Sequence, residues 1–293
     1  MKRQLLIPAL LLLFFPFAQG KVKLPAMMGD HMVLQQNSSV KLWGRADGKK
    51  VTITTSWNNR TYRTSTDKDG NWLVKVDTPA GGYTPYSITI SDGTPVTLSD
   101  ILIGEVWICS GQSNMEMRMM GNSAQPVDNS LETILNAGNY RDRIRFITVP
   151  RIKDIQKRTD FEGEKWEVSS PETTIDCSAT GYFFAKQLTQ SLNLPVGLVI
   201  NSWGGSAIEA WMDEQTLSTI EGMDIEAAKS PKRNVRQRLE CLYNLMLWPV
   251  KNFTARGFLW YQGESNISNY QFYAPMMTAM VQLWRNVWEA PDM

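Results

Sequence analysis

Three short stretches bring together the residue types that acyl transfer needs. They are Ser110-Gly111-Gln112-Ser113-Asn114, Asn201-Ser202-Trp203-Gly204-Gly205-Ser206 and Gln262-Gly263-Glu264-Ser265-Asn266. Each combines glycine, which lets backbone N–H groups turn toward a ligand, with side-chain amides or hydroxyls beside it. That is the equipment of an oxyanion hole, where loss of one donor raises the barrier by about 3–4 kcal/mol. Ser113 follows an apolar run, Ile101–Cys109, and a glycine turn, and no further turn signal comes before Gly121. A strand, a tight turn and a helix start are how esterase nucleophiles are presented. Serine is also a favoured helix N-cap, and G-x-S by itself fits a cap. The other two loops tip the reading toward chemistry.

For these loops to meet, they must leave one edge of one sheet. After Ser99-Asp100, four apolar runs alternate with helical patterns: Ile101–Cys109, Arg143–Val149, Pro195–Asn201 and Ala255–Tyr261. Val235, Leu239, Leu242 and Met246 step along one helix face, and Phe272, Met276, Met280, Leu283 and Val287 along another. Strands alternating with helices imply a parallel sheet covered on both faces, with ligands beyond the carboxyl ends of its strands. Three of the four runs end in the three loops. From Val22 to about Asp100 the apolar period is two, broken at Ala46-Asp47-Gly48, Asp67-Lys68-Asp69-Gly70, Ala80-Gly81-Gly82 and Asp92-Gly93. That pattern predicts a small antiparallel β-sandwich, with no constellation of reactive side chains. Arg151 to Asp176 fits neither period and reads as a polar surface excursion.

The first twenty residues read as a secretory signal: Lys2 and Arg3, an apolar stretch from Leu5 to Phe17, then Ala18-Gln19-Gly20. The expected organisation is therefore a signal peptide over 1–20, a β-sandwich over 21–100 and an α/β domain over 101–293. The mature chain is expected in the periplasm or secreted, without a membrane span. With 30 basic and 29 acidic residues, nothing steers it to nucleic acid. Three cysteines are too few for a disulfide framework or a zinc site, though one bridge would be compatible with export. No P-loop, dinucleotide fingerprint or metal-ligand spacing occurs, so no cofactor is expected. Glu116, Glu209 and Glu264 are the acids nearest the loops; each can cap or orient a loop, which disfavours paired-carboxylate glycosidase chemistry. Among eleven tryptophans, Trp203 and Trp211 are placed to line a sugar site, with core packing the alternative.

Ser110-Gly111-Gln112-Ser113-Asn114-Met115-Glu116, Asn201-Ser202-Trp203-Gly204-Gly205-Ser206 and Trp260-Tyr261-Gln262-Gly263-Glu264-Ser265-Asn266 resemble the sialate O-acetylesterase family of SGNH hydrolases. Gly29-Asp30-His31-Met32-Val33-Leu34-Gln35-Gln36 and Leu242-Tyr243-Asn244 extend the resemblance over nearly all the mature chain. It implies a flavodoxin-like SGNH α/β/α sandwich with a parallel sheet. It implies Ser113 as nucleophile, with its own N–H and that of Gly205 as oxyanion donors. A third donor would come from the last loop, with Gln262 favoured and Asn266 the rival. Gln112, Asn114, Trp203, Glu264 and Asn266 would bind substrate or orient loops, Glu264 by orienting. The implied substrate is O-acetylated sialic acid, opened through an acyl-enzyme without a metal; acetyl esters on other glycans such as xylan fit equally. The family's base is a histidine in a late Asp-x-x-His segment, and this chain has no histidine after His31. His31 lies in the β-domain motif, where a structural role is expected. The expectation is therefore a sheet cut short at its C-terminus, without a fifth strand or base, and the alternative is an inactive, carbohydrate-binding pseudo-esterase.

Overall fold

Alternating apolar residues give the first strands, in a computed structural model that describes residues 22–293; the expected signal segment lies outside the described residues. These strands are β1 (Val33–Gln35), β2 (Ser39–Arg45), β3 (Lys50–Thr55), β4 (Arg60–Ser65), β5 (Asn71–Asp77) and β6 (Gly82–Ser91). β2 and β5 pair antiparallel as a two-stranded sheet, while β4, β3 and β6 continue antiparallel into β7 (Pro95–Gly111).

β7 is 17 residues long and serves both halves of the molecule. Pro95–Ile103 pairs antiparallel with β6, and Glu105–Gly111 pairs parallel with β10 (Val196–Ser202). The domain boundary expected at residue 100 thus falls inside one strand. Ser99-Asp100, where the boundary was expected, is a bulge: Asp100 has φ +54, and the register slips between Ile88↔Leu98 and Tyr86↔Ile101.

Arg145 of β8 (Ile144–Thr148) straps this bulge to the parallel half. It is 1% exposed, donates to the His31 carbonyl at 3.1 Å and the Asp100 carbonyl, and pairs with Asp100 Oδ1 at 2.9 Å. His31 Nδ1 meets the other carboxylate oxygen at 2.6 Å. Burial raises the Asp100 pKa, but the hydrogen bonds from His31 and Arg145 and the Arg145 charge prevail and hold the carboxyl below its usual range.

The apolar runs after β7 form β8, β10 and β11 (Gly257–Tyr261), each parallel to its neighbours, with β9 (Glu167–Val168) antiparallel at the far edge. The order across the sheet is β8-β10-β7-β11. In chain order that is second, third, first, fourth, which differs from the 2-1-3-4-5 of a flavodoxin-type sheet. β7 consequently lies between the two strands that carry the other loops. All seven residues of β10 are buried, as a strand covered on both faces requires. On one face Cys109, Leu198 and Ile200 pack with Tyr182 and Ala185 of the helix Ala179–Leu192. On the other, Ile108 and Val199 share a core with Met276, Met280 and Trp284 of the helix Tyr273–Trp288.

The helix expected through Val235, Leu239, Leu242 and Met246 is broken. Glu240 has φ +69, which an α-helix cannot contain, and helical structure begins only at Cys241 and widens to a π-turn over Tyr243–Leu247. Pro249, with no N–H to return to the preceding turn, follows directly. The three cysteines are buried and unbridged.

Candidate functional site

Strand register brings the three loops to one level. Ser110 pairs with Asn201 on one side and Trp260 on the other, and Gly111 pairs with Ser202 and Tyr261. Each loop then starts from the same edge of adjacent strands. Gly111 has φ +137, and a Cβ there would sit 2.2 Å from the Tyr261 carbonyl oxygen, so only glycine allows β7 and β11 to stay paired to their ends. Its carbonyl accepts the Trp203 N–H at 3.1 Å and the Ser206 hydroxyl at 3.3 Å, while Gln112 N–H goes to the Tyr261 carbonyl at 2.9 Å.

Gln112 is buried, and the next residue, Ser113, is exposed. The Gln112 carbonyl takes the N–H groups of Met115 and Glu116, closing a one-turn helix over Ser113–Glu116. The Ser113 N–H donates to no group among the described residues, and neither does that of Gly205. The second loop lies against the serine: a Cβ on Gly204 would be 3.6 Å from Ser113 Cβ. Gly205 is left-handed, φ +72, with the Arg236 guanidinium 3.2 Å from where a Cβ would project. Beside Ser113 opens a cleft of about 350 Å³, lined in part by Glu116, Arg118, Asn122, Arg151 and Gly204.

Three acids tie the loops in a ring. Glu116, after the first loop, accepts the Gly204 N–H of the second and pairs with Arg151. Glu209, after the second, is 1% exposed and accepts from Asn266 at 2.8 Å and Asn269 at 3.0 Å, beyond the third. Glu264, in the third, accepts from Asn114 of the first at 2.8 Å. Gln112 adds its carbonyl oxygen to the Gly263 and Ser265 N–H groups, each at 3.3 Å. The buried Glu209–Asn266 bond, to a charged group, contributes about 1.5–3 kcal/mol, the exposed Asn114–Glu264 bond less, and together the ring holds three separate chain segments in mutual register.

The same bonds account for the expected third donor. Gln262 Nε2 gives its hydrogens to the Ser206 carbonyl at 2.9 Å and Asn266 Oδ1 at 2.8 Å, and its carbonyl accepts from Tyr273. Asn266 is 1% exposed and holds Glu209, Asn269 and the Ile208 N–H. Both amides are committed to the loop framework rather than left free as oxyanion donors. Trp203 and Trp211 are both buried, in one core with Trp284, and neither offers an open face for sugar stacking.

His31 stands far below the loops, beside Asp100 inside the antiparallel half of β7. From Ile101, beside the His31–Asp100 pair, to Gly111 the chain rises ten residues at about 3.3 Å each, about 33 Å. No other histidine occurs, so among the described residues no imidazole reaches Ser113. Ser110 Oγ and both polar atoms of Asn201, paired in the sheet below the loops, are buried without partners among the described residues. Burial alone pushes the neighbouring Cys109 thiol up to about 12, which leaves it protonated.

Sequence reading missed Arg145 and Arg151. The first interrupted an apolar run, a signal that went unused; the second began a stretch read as surface excursion, yet returns to the cleft. The tie from Glu116 to Gly204 joins residues 88 apart, beyond any local pattern.

A family model for carbohydrate esterases, described as sialic acid-specific acetylesterase, matches residues 103–293. The chain is 29% identical over 283 residues to human sialate O-acetylesterase, covering 88% of this chain and 52% of that protein. It is 28% identical over 306 residues to the rat sialate O-acetylesterase, covering 89% and 55%. Among solved structures it is similar to a carbohydrate acetylesterase from Xanthomonas citri, with 30% identity and a TM-score of 0.79, over 92% of this chain and 58% of that one. The chain spans about half the length of the curated relatives it matches.

Proposed function

The chain belongs to the sialic acid-specific acetylesterase family of carbohydrate esterases, and from that premise we propose that it supplies the nucleophile and oxyanion side of a carbohydrate O-acetylesterase. The observation that carries the reading is Ser113 itself: exposed, with a free N–H, and against the Gly204-Gly205 loop whose second N–H is also free. Ser113 Oγ attacks the acetyl carbonyl carbon, and negative charge gathers on the carbonyl oxygen between the Ser113 and Gly205 N–H groups. The bond from carbon to the sugar oxygen then breaks, the sugar hydroxyl leaves with a proton, and the acetyl group stays on Ser113. Water attacks the acyl-enzyme in turn, releasing acetate and restoring the serine. Gln112, Asn114, Glu116, Glu209, Glu264 and Asn266 act as positioning residues, and Gln262 buttresses the second loop. This departs from the oxyanion role the resemblance suggested for Gln262.

The group that takes the serine's proton is not found among the described residues. Glu116 is held by Gly204 and Arg151, Glu264 by Asn114, and His31 is remote. Turnover is therefore assigned to the full-length protein. O-acetylated sialic acid is the favoured substrate, on the family description and the relatives' names, and acts of deacetylation on other glycans fit the same chemistry. Export through residues 1–20 belongs to the same proposal, and N-terminal sequencing of the mature protein checks it. The test of function is acetate release from O-acetylated sialic acid and acetylated xylan by the full-length protein and its Ser113→Ala variant. Release that does not depend on Ser113 overturns the assignment. A glycan-binding protein without turnover is the second reading, favoured by the unaccompanied serine; binding of those sugars with no acetate release would establish it.

A further inference from the structure

The cleft beside Ser113 carries charge that acyl transfer does not use. Two arginines line it: Arg118, just beyond the serine's helical turn, and Arg151, just beyond β8. Their acidic neighbours differ in kind. Glu116 lies in the cleft, but one of its oxygens takes the Gly204 N–H and the other the Arg151 guanidinium, so its charge is matched on the spot. Asp176, which meets Arg118 Nη1 at 3.0 Å, has a side chain 65% exposed and stands outside the cleft lining. The lining therefore holds two cations against one satisfied anion.

A guanidinium has five N–H donors in a planar fork. Among the described residues, one terminal nitrogen of each arginine is engaged, by Asp176 and by Glu116. The remaining donors stand beside the amides of Asn122 and Gln125, which line the same cleft. A volume of about 350 Å³ lies at the small end of ligand pockets and suits one sugar ring rather than a chain.

Resting on the reading of Ser113 as the nucleophile toward a sugar ester, we propose that Arg118 and Arg151 read a carboxylate on that sugar. They thereby select acidic monosaccharide esters over neutral ones, and Asn122 and Gln125 take ring or side-chain hydroxyls. The planar fork matches a carboxylate in a way a neutral hydroxyl does not. Arg151 has a second effect, because the carboxylate it binds sits next to the carboxylate that fixes Gly204. Substrate charge is read within one residue of the loop that lies on the nucleophile.

The test is calorimetric titration of the full-length protein carrying Ser113→Ala, which removes the proposed nucleophile, with N-acetylneuraminic acid and with its methyl ester. The two ligands share a ring and differ in charge. The acid should bind at least about tenfold more tightly, and the preference should shrink as salt is raised. Arg118→Gln and Arg151→Gln together should bring the acid to the ester's level. Arg118→Gln alone, whose ion-pair partner Asp176 is exposed, should lower the preference with an unchanged melting temperature even if Arg151→Gln loosens the Gly204 loop. Equal binding of acid and ester, binding of neither, or a preference that survives the double variant would overturn the proposal. The underlying reading is scored separately, by capture of Ser113 with a small neutral fluorophosphonate and by acetate release. A labelled serine without acid preference overturns the arginine assignment alone, whereas no labelling and no release overturns the esterase reading beneath it.

Discussion

One strand carries two clusters that look alike on paper and differ in every consequence. Within its antiparallel half, β7 presents Asp100, hydrogen-bonded to His31 at 2.6 Å. At its end it presents Ser113. A histidine paired with an aspartate is two-thirds of a hydrolase triad, so residue types alone would nominate the wrong end of the strand as the source of the base. Geometry separates them. The His31–Asp100 pair is pinned by Arg145 at a bulge within the antiparallel pairing of β6 and β7, with one Asp100 carboxylate oxygen held by Arg145 and the other by His31. The serine lies beyond the carboxyl ends of parallel strands, exposed, with free N–H groups from two loops around it. Polar groups that are satisfied by the fold hold it together; polar groups left unsatisfied at a sheet edge are available for chemistry.

The contrast can be broken most forcefully at Gly205. Gly205→Ala places a Cβ on a left-handed residue, 3.2 Å from the Arg236 guanidinium, and displaces one of the two proposed oxyanion donors. Turnover by the full-length enzyme should fall about 10²–10³-fold with little change in KM, measured as acetate release under saturating substrate.

At the other end of β7, loss should appear in stability instead. Arg145→Met removes a guanidinium that is 1% exposed and leaves the Asp100 carboxylate and two carbonyls short of a partner. Denaturant unfolding should show a cost of about 3 kcal/mol. The rate at which a fluorophosphonate labels Ser113, per folded molecule, should not change. A labelling rate that collapsed with this substitution would mean the two ends are coupled.

A smaller effect separates the ends by pH. The folded Asp100 carboxyl titrates below its ordinary value of 3.8, so its contribution to stability is complete above that value and is lost as pH falls through the depressed folded value. Thermal melts from pH 7 downward should show the wild type losing its advantage over Asp100→Asn only below about pH 4. An advantage lost already between pH 7 and 5 would contradict this.

The smallest change is expected at Ser110, the other serine of the first loop. It is buried and its hydroxyl has no partner among the described residues. Ser110→Ala should leave acetate release within about threefold of wild type and stability within about 1 kcal/mol, since no hydrogen bond is lost.

Much of this site was legible because its signals are local. The ends of β10 and β11 fall within two residues of the apolar runs that predicted them, and the three glycine-bearing loops meet because the parallel strands end in register. What was not legible is set by contacts distant in sequence. β7 was cut after Asp100, because the change there from period two to alternating apolar runs and helical patterns reads as a domain boundary unless one strand is known to serve both halves. The strand order depends on which neighbours β7 takes, and apolar runs do not encode that. The helix drawn through Val235 and Met246 had the right period, but Glu240 takes a left-handed conformation and ends it. Gln262 drew attention as a free amide; only the structure shows Ser206, Asn266 and Tyr273 using all of it.

The central claim is that the working end of β7 is Ser113 and not the His31–Asp100 pair. The direct measurement is acetate release from O-acetylated sialic acid by the full-length protein, by Ser113→Ala and by His31→Ala, with each variant's folded fraction fixed by its melt. Ser113→Ala should lower turnover about 10⁴–10⁶-fold, and His31→Ala should leave it within about threefold per folded molecule. Equal losses in both variants, or a loss confined to His31→Ala, would place the chemistry at the other end of the strand.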